Sequence, residues 1–260
     1  MFRATIAVIM EQIRFIEELA ANAWRPEVEQ YLDGWRLRYT QGITRRGNSV
    51  LPLVSENNVT LEKKLVLAEE FYSRWGELPC FQLTRAAQPP GLIEVLNGHG
   101  YKHAFHTQVQ TASLGRVLSI TSPNPKFKTT LKPKLFEDWL DLYVKTSGYD
   151  EHSAAIRQGI LSRIEPRAGF VLLSSDDKPV AVGLGVLERG WVGIYCMVTR
   201  EEYCRQGAAI HVLYALAEWS QQHKADKMYL QVMEDNPNAL ALYSKAGFEK
   251  LYLYWYSTPM

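Results

Sequence analysis

The chain has 260 residues, of which 47% are apolar and 22% are charged, and this composition excludes a mainly disordered protein. Its 29 lysine and arginine residues nearly balance 28 aspartate and glutamate residues, so no global field attracts a polyanion such as nucleic acid or an acidic membrane. The length exceeds that of a usual single domain, which favours two domains.

The first predicted element is a helix that starts in the apolar run 4–10 and continues through Ile13, Phe15 and Leu19. The run is too short to span a bilayer, and it enters Glu11 without a small-residue cleavage pattern. The sequence therefore predicts no membrane partner and no targeting signal, and the expected location is the cytoplasm.

Metal and disulfide chemistry is not expected. The three cysteines, Cys80, Cys196 and Cys204, are odd in number and form no C-x-x-C pair, which argues against a disulfide framework and a zinc site. His103 and His106 have no neighbouring acidic or thiol partner in the sequence, and they are interpreted as surface histidines.

Along the rest of the first half, apolar residues spaced from Leu61 to Trp75 predict a helix, and strands are predicted at 81–83 and 105–111. The segment 121–126 then combines two prolines with turn-forming residues between longer apolar stretches. We interpret this segment as the boundary between two domains. The predicted domains are 1–120 and 121–260.

The second half alternates segments of helical and strand-like apolar spacing. Helices are predicted at 135–146, 151–164, 209–223 and 236–246, and strands at 170–174, 180–187, 192–198, 228–232 and 251–256. A turn at 176–179 joins the first two strands into a hairpin, and Gly247 ends the last helix. The expected fold class is α/β, with a mixed sheet flanked by helices.

The first half of the chain contains a weakly similar copy of this arrangement of helices and strands. At the same spacing and in the same order, the residues Ala68, Glu69 and Gln82 match Ala217, Glu218 and Gln231. Gly100-Tyr101 matches Gly247-Phe248 after a shift of two residues. Two similar domains in tandem are therefore expected. The alternative is that any two helix–strand–helix–glycine–strand units would align as well.

Residues 198–209 are predicted to form a strand that ends in a glycine-containing turn and opens a helix. The start of a helix offers unpaired N–H groups and the positive end of the helix dipole, and both suit a pyrophosphate. Gly207 lets the main chain approach phosphates closely, and Ala208 and Ala209 keep side chains out of the way. Taken alone, the pattern is also that of an ordinary strand-to-helix turn.

A second segment, 236–248, follows the next predicted strand and reads N-x-x-A-x-x-L-Y-x-K-x-G-F. Together the two segments resemble the GNAT superfamily of N-acetyltransferases, in which a Q/R-x-x-G-x-G/A loop precedes a helix. The second segment matches at every named position. The loop matches in part, because Cys204 stands where arginine or glutamine is usual and Arg205 is one residue away.

The resemblance implies an acyl-CoA N-acyltransferase fold with acetyl-CoA as co-substrate and no metal. Coenzyme A would lie in a notch between two splayed parallel strands. The residues implied to bind it are Met197 and Val198 for the pantetheine arm, Arg205, Gln206, Gly207, Ala208 and Ala209 for the pyrophosphate, and Asn236 and Ala239 for the pantetheine region. The first half has no glycine loop at 55–60, so no cofactor is expected there.

In the implied reaction an amine attacks the thioester carbonyl and the sulfur leaves with a proton. A backbone N–H near Val198 could stabilise the oxyanion. Tyr243, with a usual pKa of about 10, could donate the proton to the thiolate. Without the resemblance, its spacing is that of a packing tyrosine. Glu188 and Glu234 are candidates for the base, with a water chain or solvated loop charges as alternatives.

The expected function is therefore transfer of an acetyl group from acetyl-CoA to a primary amine of a small molecule or peptide. The alternative is a non-catalytic acyl-CoA sensor, or a module whose first half recruits a substrate protein. The same fold serves many amines, so the resemblance does not select the acceptor. The sequence makes no prediction of the oligomeric state.

Overall fold

The computed structural model describes residues 2–259 of the chain, with the side chains of residues 7–259. The helices of this part are α1 (Phe2–Ala23), α2 (Leu61–Ser73), α3 (Leu92–Gly98), α4 (Leu114–Ile120), α5 (Glu137–Ser147), α6 (Glu151–Ser162), α7 (Ala208–Gln222) and α8 (Pro237–Lys245). Its strands are β1 (Val28–Leu32), β2 (Trp35–Tyr39), β3 (Val50–Pro52), β4 (Phe81–Leu83), β5 (Lys102–Ser113), β6 (Lys128–Lys132), β7 (Arg167–Ser175), β8 (Lys178–Glu188), β9 (Trp191–Thr199), β10 (Lys227–Met233) and β11 (Glu249–Thr258).

The chain divides into two compact units. The first unit runs up to Thr107 and takes in the chain again from Tyr252 onwards, and the second unit comprises Gln108–Leu251. The segments 108–120 and 252–259 therefore belong to other units than in the sequence-predicted domains. Whether 1–120 and 121–260 are functional domains stays a prediction.

The sheet of the first unit has the strand order β1-β2-β3-β4-β11. The pairs β1/β2, β2/β3 and β4/β11 are antiparallel, and β3/β4 is parallel. Trp35, Phe71 and Phe81 are almost fully buried and belong to its apolar core. Apolar burial of aromatic side chains is a large stabilising contribution in a unit of this size.

A buried polar network crosses the first unit. The Arg38 Nη2 donates to Gln82 Oε1 over 2.9 Å, and Gln82 Nε2 donates to Glu17 Oε2 over 2.6 Å. The Tyr252 hydroxyl donates to the other oxygen of Glu17 over 2.7 Å. Burial raises the pKa of the Glu17 carboxyl, and these hydrogen bonds and nearby arginines oppose that rise. Both ends of the Gln82 amide are thus satisfied inside the protein.

The sheet of the second unit has the strand order β5-β10-β9-β8-β7-β6. The pair β9/β10 is parallel, and β8 pairs antiparallel with β9 and with β7. Helix α7 packs on one face, where Gly183 makes close approach possible. A Cβ atom at Gly183 would lie 2.4 Å from Val212 Cγ1, so a larger residue would displace the helix.

The parallel strands part before either of them ends. The last register pair of β9 and β10 in the described residues is Ile194 with Leu230, although β9 runs to Thr199 and β10 to Met233. A bulge adds to this, because two residues of β9 lie opposite Gly183 and Cys196 has a φ of 51°. The strands form a fork that opens toward their carboxyl ends.

The helices and strands predicted from periodicity are confirmed, with ends that differ by a few residues. The mixed sheet flanked by helices is also confirmed. The prediction missed six short elements: α3, α4, β1, β2, β3 and β6. The first helix is confirmed as α1, and the side chains of its residues 2–6 lie outside the described ones.

Candidate active site

A cleft of about 820 Å³ lies in the second unit, between the start of α7 and one face of α8. Six of the residues predicted to bind the cofactor line it. They are Arg205, Gly207, Ala208, Ala209, Asn236 and Ala239. Two segments that are nearly thirty residues apart in the sequence therefore meet as the walls of one cavity.

Gly207 begins α7 in the left-handed conformation, with a φ of 86°, and no side chain caps the helix. The His211 N–H makes a helical bond to the Gly207 carbonyl over 3.0 Å, so the N–H groups before it have no intrahelical partner. They lie at the positive end of a 15-residue helix beside the cleft. This arrangement fits an anionic phosphate group.

The loop before α7 is tied to the segment 124–126. Asn124 Nδ2 donates to the Gln206 carbonyl over 3.0 Å, and Lys126 Nζ donates to Gln206 Oε1. Gln206 Nε2 in turn donates to the Glu202 carbonyl over 2.6 Å. Its side chain is therefore engaged within the protein and does not line the cleft, so Gln206 can contribute to the site through its position in the loop.

Charge in the cleft comes from Arg205, which is exposed and has a φ of 59°. Cys204, the departure from the family pattern, also lines the cleft, and its thiol lies 3.5 Å from the Arg200 carbonyl oxygen. Arg205, one position after the one where arginine or glutamine is usual in the family, therefore presents a cationic side chain to the cleft. Lys245 adds a second cationic side chain on the α8 wall.

Asn236 is the N-cap of α8, and its Oδ1 accepts from the Ala239 N–H over 3.0 Å. Pro237 stands at the start of the helix, where the missing N–H costs no hydrogen bond. Within residues 7–259 no hydrogen bond engages the amide nitrogen of Asn236, which leaves it available to a ligand in the cleft. Ala239 lies one turn further on, and its small side chain leaves that wall open.

Tyr243 lies on α8 but is 9% exposed and does not line the cleft. Its ring packs edge-on against Phe248 with 6.0 Å between the ring centroids. Burial raises the pKa of its hydroxyl to about 12. Since this pKa is far above 7, the hydroxyl is protonated at neutral pH, and no hydrogen bond within residues 7–259 engages it, so it can donate to a ligand.

Met197 and Val198 lie on β9 beyond the point where it leaves β10. Val198 pairs with Val182 of β8, and Met197 packs against the apolar core under α7. On the other side of β9, the described residues record no strand partner past Ile194. The main chain there can accept an extended ligand as an added strand.

The two candidate bases lie in different places. Glu188 pairs with Trp191 at the hairpin where β9 begins, and β9 then runs roughly 26 Å to Thr199 at the cleft. The structure does not bring Glu188 to the cleft, and it forms an ion pair with Arg189 over 3.3 Å. Glu234 directly follows β10 and accepts from Gln108 Nε2 over 3.2 Å and from Lys250 Nζ over 3.3 Å.

Several residues that line the cleft were not among those predicted to bind the cofactor. They are Thr199, Tyr203, Cys204 as a wall residue, Ile210, Asn238, Ala241, Leu242 and Lys245. A signal existed for four of them, since Asn238, Ala241, Leu242 and Lys245 have the i, i+3, i+4, i+7 spacing of one helix face. No comparable pattern marks Thr199 or Tyr203.

Residues 7–259 contain no group of three or more histidine, cysteine, aspartate or glutamate side chains placed to hold a metal ion. Among the described helices, none has both the length and the apolar character needed to cross a membrane.

The fold and the cleft define a structural class, which is the GNAT fold. Two solved structures share this fold over nearly the whole chain. A GCN5-related N-acetyltransferase from Kribbella flavida covers 94% of this chain and 94% of its own, with a TM-score of 0.69 and 14% identity. A tandem GNAT protein from the clavulanic acid biosynthesis pathway covers 93% and 86%, with a TM-score of 0.69 and 13% identity.

Sequence comparison is more specific. The chain is 30% identical over 244 residues to the uncharacterized N-acetyltransferase YobR of Bacillus subtilis, and the match covers 93% of this chain and 96% of the relative. The family model described as "Probable histone acetyltransferase Rv0428c C-terminal" matches residues 10–257. The chain belongs to that family, within the GNAT superfamily, as its two motif segments predicted.

Proposed function

We propose that the chain transfers the acetyl group of acetyl-CoA to a primary amine of a small molecule or peptide. One observation carries this proposal: the uncapped start of α7 at Gly207 faces a cleft whose opposite wall is the matched segment of α8. A cleft of about 820 Å³ is large enough for an extended nucleotide cofactor. Acetyl-CoA, when bound there, supplies the activated acetyl group.

Within this proposal, the residues of the loop and of α8 hold the cofactor. The N–H groups after Gly207 and the Arg205 guanidinium bind the pyrophosphate, and Gln206 fixes the loop through its own hydrogen bonds. The free edge of β9 at Met197 and Val198 hydrogen-bonds the pantetheine arm. The Asn236 amide and the open wall at Ala239 accommodate the arm beside α8.

The chemical step requires two proton transfers. The amine nitrogen attacks the carbonyl carbon, the carbon–sulfur bond breaks, and the sulfur takes a proton as the amine loses one. The Tyr243 hydroxyl, kept protonated by burial, is the proposed donor to the sulfur. Glu234, at the end of β10, is the better placed of the two carboxylates to accept the amine proton, directly or through water.

The first unit is proposed to bind no cofactor, because its corresponding helix start is already satisfied. The Thr60 hydroxyl caps α2 by accepting from the Lys63 N–H. The Asp33 carboxylate lies just before it, accepts from the Asn58 N–H over 3.1 Å and pairs with Lys64 over 2.5 Å. The buried ion pair of Asp33 with Lys64 carries no net charge, so it offers nothing that attracts a phosphate to this helix start.

The test is a turnover screen with acetyl-CoA over amino acids, amino-acid amides, polyamines, aminoglycosides and peptides. Release of the free thiol and mass spectrometry of the acetylated amine report the reaction. We expect at least one amine to be acetylated. If calorimetry shows tight acetyl-CoA binding while no amine is acetylated, the chain is an acyl-CoA sensor instead. If pull-down identifies one acetylated protein, the first unit recruits it.

A further inference from the structure

The side-chain amide of Gln231 makes no hydrogen bond within the part of the chain that the structure describes. Both polar atoms of its side-chain amide are buried, and neither has a hydrogen-bond partner in residues 7–259. A primary amide can donate two hydrogen bonds and accept two, and leaving them unmade in a buried position destabilises the folded protein. A buried polar group without a partner calls for an explanation, and one explanation is a ligand that the amide binds.

The corresponding glutamine of the first unit shows the contrast. Gln82 matches Gln231 in the internal alignment, and both lie on the strand that follows the matched helix. The Gln82 amide accepts from Arg38 and donates to Glu17, as described above. In the first unit, Arg38 and Glu17 thus satisfy the amide oxygen and the amide nitrogen of Gln82. The same two atoms of Gln231 have no partner within residues 7–259.

Gln231 lies where the strands part. It is the first residue of β10 after Leu230, the last one in register with β9. Strand alternation places it on the face of Tyr229, whose hydroxyl lies 2.8 Å from that of Tyr195. Its neighbours Leu230 and Val232 point the other way, into the core under α7. Gln231 therefore stands at the base of the fork, on the face away from α7.

This position relates to the proposed function, on which the inference rests. The cleft proposed to bind the cofactor lies on the side of α7 and α8. An acetyl group bound in the fork would therefore have its opposite face toward Gln231. An amine must approach the carbonyl carbon from a direction that the cofactor does not fill. The amide of Gln231 lies on that side, where it can contact the group next to the amine.

We propose that Gln231 binds the acyl acceptor, and that the acceptor carries a neutral amide beside its amine, as in an amino-acid amide or the first residue of a peptide. A neutral carboxamide pairs with such a group through one donated and one accepted hydrogen bond. The carboxamide offers no charge to the second ammonium group of a polyamine. Gln231 is thus a positioning residue for the acceptor, and the contacts to the cofactor do not depend on it.

The experiment compares Gln231→Met with Gln82→Met, because methionine keeps the length of the side chain and removes its polar atoms. Without any ligand, Gln231→Met removes an unsatisfied amide and should raise Tm by about 2–4 °C. Gln82→Met removes one hydrogen bond from the buried Arg38 and one from the buried Glu17, and it should lower Tm by roughly 6 °C or more. If Gln231→Met lowers Tm as Gln82→Met does, its amide has a partner in the folded protein and the proposal is wrong.

Kinetics then test the role in binding. With alaninamide as the acceptor, Gln231→Met should lower kcat/KM by about 10-fold to 100-fold, while acetyl-CoA affinity measured by calorimetry stays within twofold. With putrescine the loss should be less than threefold. An unchanged kcat/KM for alaninamide, or an equal loss for putrescine, overturns the assignment.

The proposed acetyltransferase function and the proposed role of Gln231 can be contradicted independently of each other. If the wild-type chain acetylates putrescine and not alaninamide, the acceptor class is wrong and the acetyltransferase function stands. If it acetylates no amine, the function fails, and the comparison of the two Tm values still decides whether the Gln231 amide is unsatisfied.

Discussion

Gly207 is the residue at which a substitution tests the phosphate site most directly. Gly207→Glu places a side chain and a negative charge at the start of α7, where the phosphates are proposed to bind. We expect the Kd for coenzyme A to rise at least tenfold, or about 1.4 kcal/mol, in isothermal calorimetry. The reason is repulsion between the carboxylate and the phosphates, added to the loss of close approach.

A matched control separates charge at the site from backbone strain. Gly148 ends α5 in the left-handed conformation with a φ of 68°, and nothing lies within 4 Å of a Cβ atom there. Gly148→Glu should cost about 1 kcal/mol of stability, as any side chain does in this conformation, and leave coenzyme A affinity unchanged. Equal affinities of the two folded variants would remove the phosphate assignment.

Tyr243 tests the proposed proton donor. Tyr243→Phe keeps the ring and its packing against Phe248, so Tm and coenzyme A affinity should change little. If proton donation is lost, kcat with the best amine should fall by about 10²–10⁴. Since the pKa of the hydroxyl is about 12, the wild-type rate should show no loss from tyrosine ionisation up to about pH 10.

Steady-state kinetics from pH 6 to pH 10 on both proteins make this measurement. A loss of only a few-fold would show that water can protonate the leaving thiolate. Full kcat in the variant at every pH would make Tyr243 a packing residue. A collapse of cofactor binding would instead show that Tyr243 shapes the cleft.

Among the elements, the starts of α2 and α7 predict the number of cofactor sites. Helix α7 has no side-chain cap, whereas the Thr60 hydroxyl caps α2 and the carboxylate of Asp33 precedes it. Calorimetry should therefore give one coenzyme A per chain. Thr60→Gly removes the cap and leaves the ion pair of Asp33 with Lys64 in place, so it should not create a second site. Two equivalent sites in the wild-type chain would contradict this account.

Some of the helices and strands can be predicted from the sequence alone, and others cannot. Helix α7 and strands β7 to β9 have many apolar residues at one period, so they are recognised without tertiary information. Strand β1 is mostly exposed, β3 has only three residues and contains Pro52, and β6 is a polar strand at the end of the sheet order. Their pairing, and not their composition, makes them strands.

The same limit applies to the site. The glycine turn at Gly207 and the helix face that carries Asn236 and Ala239 can be predicted from local motifs. The contacts of Asn124 with Gln206 and His211 join residues more than eighty positions apart, and no local pattern indicates them. The remoteness of Glu188 from the cleft depends likewise on which end of β9 opens, which only the register of the strands decides.

For the whole molecule, we expect a loss of stability in alkaline solution. Burial raises the pKa of Tyr243 and of the Cys80 thiol to about 12, and it raises the pKa of Tyr143 and Tyr256 as well. In the unfolded chain these groups ionise at about pH 10 for tyrosine and about 8.5 for cysteine. Their contribution to stability is complete below those values and is lost as the pH rises toward 12.

Each group should lower the free energy of unfolding by about 1.4 kcal/mol per pH unit within its window. Urea unfolding at pH 8, 9, 10 and 11 measures the slope. The double variant Tyr243→Phe with Cys80→Ser should show a shallower decline, because two of the titrating groups are gone. A free energy of unfolding that stays constant from pH 8 to pH 11 would contradict the prediction.

The place of β11 in the first unit has a consequence for biosynthesis. Ser257 of this late strand lies opposite Phe81 of β4. Translation at about 5–20 residues per second leaves roughly 10–35 s between the appearance of these two residues at the ribosome. During that interval the edge of β4 has no strand to pair with, and an open edge invites pairing with other nascent chains. The unit made first is thus completed last, and the edge of β4 stays exposed to other chains until β11 has been synthesised.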